Sequence, residues 1–183
     1  SDVYAADADN TTNIAMSATE ISCLVEDTDV FTATSSTFNF DAAVKTTINK
    51  RKFAKTSAVD GNANGDIVYF GGTTSMDAGK IYYFNSSGAW ALADADAEST
   101  AKGMLGVALG AASNTNGVLL RGMVTLSADP GTIGDKLYLS TTAGAAQNSA
   151  PAGSGKVVRL IGYSLDSTNG QVYFNPDNHY TVL

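Results

Sequence analysis

The stretch Gly79-Lys80-Ile81-Tyr82-Tyr83-Phe84 decides the fold class, because it is a short run of strand-forming residues that directly follows a glycine. Runs of this kind, bounded by turn residues, predict β-strands. The stretch returns 56 positions later as Asp135-Lys136-Leu137-Tyr138-Leu139-Ser140. The sequence therefore predicts an all-β domain in which one structural unit occurs twice.

Three further blocks recur in the same order along residues 60–183. The pairs are 67–70 with 123–126, 105–109 with 161–165, and 116–119 with 169–172. The first two pairs keep the spacing of 56 residues, and the third has a spacing of 53. Two pseudo-repeated units of this size predict a small β-barrel or β-sandwich. The alternative is chance similarity among β-meander sequences.

The rest of the chain follows the same pattern, in which short apolar runs alternate with clusters of Gly, Asn, Ser and Asp. Predicted strands are 21–25, 30–34, 44–48, 67–70, 80–84, 89–93, 104–109, 118–121, 123–126, 136–140, 157–165, 171–175 and 180–183. No stretch keeps a helical period over about 11 residues. One short helical turn is expected at 94–101, with Asp94 as its cap.

Glycine and proline divide the chain into two parts. All 18 Gly and all three Pro lie within residues 60–183, and none lies within 1–59. Glycine supplies the positive-φ positions of tight turns, so residues 60–183 predict a compact barrel or sandwich domain. Residues 1–59 predict an extended N-terminal arm or strand region. A lone arm buries little apolar surface, so this part is expected to need a partner.

The net charge of −7 is distributed unevenly. Residues 1–41 hold eight acids and no base, and a basic cluster follows them. The basic cluster consists of Lys45, Lys50, Arg51, Lys52 and Lys55. An acidic total argues against nucleic acid as a partner. The basic cluster is either solvated surface or a contact with an acidic surface on a partner or a neighbouring copy.

The composition leaves few side chains for chemistry. Charged residues make up 16%, and the chain has one His, one Cys and three Glu. A His-based triad, a zinc cluster and an internal disulfide framework each need more than this. We therefore predict no enzymatic activity, no cofactor and no metal. No apolar run approaches the ~20 residues of a membrane span, and no signal peptide is expected.

One short segment has the spacing of a metal loop. In Asp60-Gly61-Asn62-Ala63-Asn64-Gly65-Asp66, oxygen-bearing side chains alternate as in the front half of a calcium loop. Position 12 of that loop, which needs a bidentate Glu, is Gly71. Asn and Asp also dominate ordinary turns, so a turn is the favoured interpretation.

Several single residues have ordinary structural interpretations. Asp94, Asp96 and Glu98 alternate, and we interpret them as an exposed acidic turn rather than as the carboxylate pair of a glycosidase. His179 lies beside a turn and is expected to be structural. Cys23 has apolar neighbours and no nearby base, which favours a buried free thiol.

The aromatic residues of the predicted strands are the remaining candidates for an exposed binding surface. They are Tyr82, Tyr83, Phe84, Trp90, Tyr173 and Phe174. Adjacent strand residues face opposite sides, so the run 82–84 is apolar on both faces. One face would lie in the core, and the other would be covered by the first segment or by another subunit. This predicts a homo-oligomer, with a trimer as the expected state. A carbohydrate-stacking role for Trp90 is the alternative.

Five stretches together resemble virion proteins of tailed phages, particularly cyanophages and other marine phages. They are GDIVY (65–69), ALADADAEST (91–100), LRGMV (120–124), DPGTIGDKLYLS (129–140) and VYFNPDN (172–178). The pattern of Gly-Asp-hydrophobic repeats and central-glycine strands is also similar to the small β-barrel of capsid decoration, or cement, proteins. The resemblance implies no catalytic residues.

The resemblance leaves two functions open. One is a decoration protein that binds the major capsid protein or other virion proteins and stabilises the phage head. The other is a tail-fibre or receptor-binding domain that presents loops to a host surface glycan. The length of the chain favours decoration. Both place the protein in the virion, on the capsid surface or on the tail. The expected partner interface combines the basic cluster with Tyr82, Tyr83 and Phe84.

Overall fold

The structure is a computed structural model, and it divides the chain into two compact units, residues 1–51 and 52–183. It describes residues 52–183 in full and, before them, the backbone of residues 2–6, 13–16, 20–25, 28–34 and 38–40. The division falls earlier than the predicted boundary after residue 59. The reason is that residues 54–57 hydrogen-bond within the second unit. Ala54 N–H donates to Asn64 Oδ1 at 3.1 Å, and Gln171 Nε2 donates to the Thr56 carbonyl at 2.5 Å.

The first unit is an antiparallel meander of five strands paired in chain order. They are β1 Asp2–Ala6, β2 Asn13–Met16, β3 Glu20–Val25, β4 Thr28–Thr34 and β5 Phe38–Phe40. The strands predicted at 21–25 and 30–34 are thus confirmed. The strand predicted at 44–48 lies outside the described residues, as does the side chain of Cys23.

The second unit contains eleven strands and two single-turn helices within residues 52–183. The strands are β6 Ala63–Val68, β7 Ile81–Phe84, β8 Trp90–Leu92, β9 Leu105–Ala108, β10 Val118–Thr125, β11 Lys136–Leu139, β12 Ala146–Gln147, β13 Val157–Val158, β14 Leu160–Ser164, β15 Gln171–Phe174 and β16 Thr181–Val182. The helices are α1 Glu98–Ala101 and α2 Ser113–Asn116. The all-β prediction is confirmed, since the main sheet curls into an antiparallel half-barrel.

The longest strand of this sheet, β10, organises the others. Its register places β6 along one edge, while β9 pairs with its first residues and β15 with its last ones on the other edge. The order along the sheet is β12-β11-β14-β15-β10-β9-β7-β8, with β6 off this path. The sequence predicted two strands, 118–121 and 123–126, where the structure has one. Gly122 lies inside it and keeps the ladder continuous.

A row of glycines crosses the sheet at this point. Gly65 lies opposite Gly122, and Gly122 and Gly162 both lie opposite Phe174. Residues that face each other across strands share a face of the sheet. A Cβ atom added at Gly65, Gly122 or Gly162 would lie within 2.3 Å of a backbone oxygen of the neighbouring strand. Central glycines thus allow the strands to approach closely.

The core of the second unit consists of two clusters on opposite faces of the sheet. The larger cluster includes Ile81, Val107, Leu119 and Phe174. A smaller cluster packs on the opposite face. Its members are Met76, Tyr82, Trp90, Ala108 and Val118. Alternate residues of β7, β9 and β10 enter one cluster or the other, as the period of two along a strand requires.

Backbone hydrogen bonds join the two margins of the curled sheet. The segment after β8 both donates and accepts backbone hydrogen bonds. Ala95 N–H donates to the Ser140 carbonyl, and Gly144 N–H donates to the Ala93 carbonyl. Ala93 and Ala95 are fully buried there. The small methyl groups allow the two margins to come within hydrogen-bonding distance over the core.

Three details of the second unit differ from the sequence prediction or stay open. The helical turn exists as α1, but its N-cap is Ala97, and no side chain caps it. The strand predicted at 67–70 begins earlier and ends at Val68, because β6 covers Ala63–Val68. The two-unit repeat stays a prediction.

Candidate functional site

The aromatic run 82–84 is apolar on both faces, as the sequence indicates, but the second unit itself packs against the face that carries Tyr82 and Phe84. Tyr82 is 4% exposed, and its hydroxyl accepts a hydrogen bond from Asp77 N–H at 2.9 Å. Phe84 packs edge-on against Phe70 with ring centroids 5.0 Å apart. The expectation that another subunit or the first segment covers this face is therefore wrong for Tyr82. The homo-oligomer itself stays a prediction.

Two further aromatic residues that the sequence presented as exposed are buried. Trp90 is 3% exposed and donates from Nε1 to the Phe70 carbonyl at 2.9 Å. Its ring centroid lies 5.2 Å from that of Phe84. An indole enclosed in this way cannot stack on a sugar, so the carbohydrate-stacking alternative for Trp90 is wrong. Phe174 belongs to the core.

The basic cluster lies across the division between the two units. Lys45, Lys50 and Arg51 lie outside the described residues, whereas Lys52 is exposed. Lys55 Nζ lies 2.7 Å from Asp166 Oδ2. This ion pair, with hydrogen bonds from the backbone and hydroxyl of Thr168, holds the pKa of the Asp166 carboxyl far below its usual range. Lys55 therefore attaches the first residues of the second unit to the loop that contains Asp166.

The segment 60–66 builds a turn and a strand, and the side-chain oxygens of Asn62, Asn64 and Asp66 contact protein groups. Asn62 N–H donates to the Val59 carbonyl at 2.9 Å, which closes a turn before β6. Asn64 Nδ2 donates to the Ala54 carbonyl at 2.7 Å, and Asp66 lies 3.8 Å from Arg121. Across residues 52–183, no group of three or more His, Cys, Asp or Glu residues could hold a metal ion.

The three alternating acids each have a separate partner. Asp94 accepts from Thr100 Oγ1 at 2.9 Å, Asp96 pairs with Lys156 at 2.7 Å, and Glu98 accepts from Tyr180 Oη at 2.8 Å. The last bond raises the pKa of the Tyr180 hydroxyl. Carboxylates that point to three different partners form an acidic turn, and they do not frame a sugar cleft.

His179 has a structural position. It is exposed, and its backbone N–H donates to Asp177 Oδ1 at 2.9 Å. This bond closes the turn that precedes β16.

Two shallow grooves meet at Gly103 on the surface of the second unit, and sequence reasoning did not find them as a site. The first has a volume of about 390 Å³ and is lined by residues that include Met104, Leu120, Arg121, Arg159, Asn175 and Asn178. The second has about 530 Å³ and is lined by residues that include Tyr83, Phe84, Ser86, Ser99, Lys102 and Tyr180. Two of the predicted interface residues, Tyr83 and Phe84, thus line a groove.

The floor of the first groove contains a buried cation. Arg159 is 2% exposed, donates from Nε to the Asp177 carbonyl at 2.8 Å and donates from Nη1 to the Ala101 carbonyl at 2.6 Å. None of the ion pairs within residues 52–183 includes Arg159. Burial lowers the pKa of its guanidinium, and the nearby charge of Asp177 partly opposes this effect.

A second surface feature is a row of neighbouring residues on one face of the sheet, with two tyrosines at its centre. Met123 lies opposite Tyr173, Tyr173 opposite Tyr163, and Tyr163 opposite Lys136. Tyr163 is 40% exposed, and Met123 and Tyr173 are half-buried. We call Met123, Tyr163 and Tyr173 the tyrosine row. It offers contact area on one face of the sheet.

No protein family, curated protein sequence or solved structure matches this chain. Among the described residues, no helix has the length and the apolar character needed to cross a membrane. The surface of the second unit therefore has to be interpreted from its own geometry.

Proposed function

We propose that this protein is a structural virion protein of a tailed phage, a capsid decoration protein that binds the head and stabilises it. The tyrosine row is the observation that carries the proposal. Partly exposed tyrosines on a β-sheet are typical of protein interfaces, since they supply large contact area at little cost in side-chain entropy. A protein that binds only the closed shell raises the free energy needed to open it.

The division of the chain into two compact units supports the same function. One unit can bind the capsid shell or a neighbouring copy in a homotrimer, and the other unit can bind a second surface on the particle. The basic cluster spans residues 45–55 and therefore includes the division after Arg51. It is the expected docking site for acidic groups on a capsid neighbour.

Counting copies per virion tests the proposal. A decoration protein is present in hundreds of copies, and a fibre protein in a few dozen or fewer. We expect the higher number from gel densitometry of purified particles. A count in the lower range would overturn decoration and favour the fibre.

A substitution in the tyrosine row tests the surface that carries the proposal. We expect Tyr163→Ala to lower the occupancy of the protein on particles without unfolding it, because the side chain is exposed and lies outside the core. Tyr69→Ala is the matched control, since Tyr69 is 59% exposed and does not belong to the row. Equal occupancy of both variants and the wild type would remove the row from the docking surface.

Charge reversal of Lys50, Arg51 and Lys52 together tests the basic cluster. Single exposed ion pairs contribute only about 0–1 kcal/mol, so the triple change is needed. We expect lower occupancy at low salt and a smaller difference at high salt, because salt screens the wild-type contact. Equal occupancy at both salt concentrations would identify the cluster as solvated surface.

A second candidate function, a tail-fibre or receptor-binding protein, is favoured by the grooves at Gly103. Aromatic and basic side chains meet there in a concave surface, as they do in ligand sites. Under this function the grooves face a host surface glycan, and the protein is present in few copies.

A further inference from the structure

We infer that the two grooves meeting at Gly103 form one binding site for an acidic saccharide, a sugar chain that carries carboxylates. The inference concerns a ligand site on the second unit, so it holds for a protein on the head as well as on the tail. Volumes of about 390 and 530 Å³ are in the range of small-molecule sites, and Gly103 lines both grooves, which places them side by side.

The charge of the first groove indicates an anionic ligand. The Arg159 guanidinium is buried on the floor, and its two described hydrogen bonds go to carbonyl groups, which carry no net charge. The nearby charge of Asp177 acts on Arg159, but within residues 52–183 no ion pair joins the two side chains, so an anion bound in the groove would supply a direct charge partner. Arginine in particular suits carboxylates, because its planar fork can donate two parallel hydrogen bonds.

Two more cations surround the same site. Arg121 lines the first groove, has a side chain that is 52% exposed, and forms an ion pair with Asp66 at 3.8 Å. Lys102 lines the second groove and is exposed. Glu98 accepts a hydrogen bond from Tyr180, which lines the second groove. The lining of the two grooves thus contains three cationic side chains and no acidic one.

The second groove identifies the ligand as a sugar rather than an acidic peptide. Tyr83, Phe84 and Tyr180 provide apolar ring surface, and Ser86 and Ser99 provide hydroxyl groups beside it. Sugars have an apolar C–H face and many hydroxyl groups. The aromatic rings of the groove can pack against the C–H face, and its serine hydroxyls can hydrogen-bond to the sugar hydroxyls. The carboxylate of one sugar would lie at Arg121 and Arg159, and a neighbouring sugar would lie along Tyr83.

Titration calorimetry of the full chain with an oligogalacturonate tetramer tests the site. The same tetramer as its methyl ester removes the charge and keeps the rings, and a tetraglutamate peptide keeps the charge and removes the rings. We expect binding of the free acid alone. Binding of the peptide with equal affinity would overturn the saccharide in favour of a protein carboxylate. No heat with the free acid at millimolar concentration would overturn the site.

Variants locate the binding in the grooves. We expect Arg121→Gln and Lys102→Gln each to weaken binding about tenfold, which is the effect of one lost charge-assisted hydrogen bond. Lys136→Gln is the control, because it removes the same charge from an exposed position of β11 outside the grooves. Equal weakening in all three variants would show attraction by net charge only and overturn the site. Occupancy on particles should stay unchanged in Arg121→Gln, which separates this inference from the decoration function.

Discussion

Replacing Gly122 with alanine should strongly destabilise the second unit, because the glycine allows β6 and β10 to approach each other. Gly122 has φ 146°, and a Cβ atom added there would lie 2.3 Å from the Asn64 carbonyl oxygen and 2.7 Å from Gly65 Cα. Both contacts are with backbone atoms, which cannot rotate away as a side chain can. The two strands would have to separate at the centre of the sheet.

Two terms contribute to the size of the effect. Holding alanine at this φ costs about 1–3 kcal/mol, and overpacking in a dense core costs about 1–3 kcal/mol. We therefore expect Gly122→Ala to lower the free energy of unfolding by about 4 kcal/mol, which is a large part of the ~5–15 kcal/mol typical of a folded domain. Gly134→Ala isolates the first term. Gly134 has φ 87°, and nothing lies within 4 Å of the added Cβ. It should cost about 1–2 kcal/mol.

Guanidinium unfolding followed by tryptophan fluorescence measures both variants. Trp90 is the one Trp of the chain and is 3% exposed, so its emission reports on the second unit. If Gly122→Ala lost no more stability than Gly134→Ala, the close approach of β6 and β10 would not be the reason why position 122 requires glycine, and our reasoning would be refuted.

Three further predictions concern other contacts of the second unit. The pKa of the Asp166 carboxyl is held below its ordinary 3.8 by Lys55, so its contribution is complete above pH 3.8 and falls as the pH drops further. The difference in unfolding midpoint between wild type and Asp166→Asn should shrink in that acid range, and a constant difference would contradict the ion pair. Trp90→Phe, followed by circular dichroism, should lose about 1–3 kcal/mol, because the Phe70 carbonyl loses its donor; unchanged stability would contradict this. The purified protein should cleave neither polysaccharides nor peptides, and cleavage that disappears on changing Asp94 would contradict our interpretation of the acidic turn.

The positions of most strands could be predicted because alternation of apolar and polar residues is a local property. The run 80–84 became β7 and the run 136–140 became β11. β12 was missed because it has only two residues, too few to show a period of two. The division of 157–165 into β13 and β14 was missed for a related reason, since the sequence shows one continuous apolar run. Whether such a short segment forms a strand depends on which neighbouring strand the folded sheet places beside it.

The candidate site was less accessible to sequence reasoning. The sequence shows that the run 82–84 is apolar on both faces. It does not show which residues pack against the run. The cover comes from Phe70 and Met76, in a long connection that contains no strand and has no periodic pattern. The grooves at Gly103 combine residues from distant parts of the chain, such as Lys102 and Tyr180, which only the folded sheet brings together. The single signal available was an isolated Arg in the apolar run before Ile161.

The central place of β10 affects how the protein must be synthesised. Val118 pairs with Val68, which the ribosome has already made, whereas Gly122 pairs with Phe174, which it makes much later. Until then the edge of β10 that awaits β15 offers free amides and carbonyls, and such an edge can recruit strands from other nascent chains. Slow translation between β10 and β15 would prolong this exposure, so the yield of soluble protein should depend on chaperones that shield a half-built sheet.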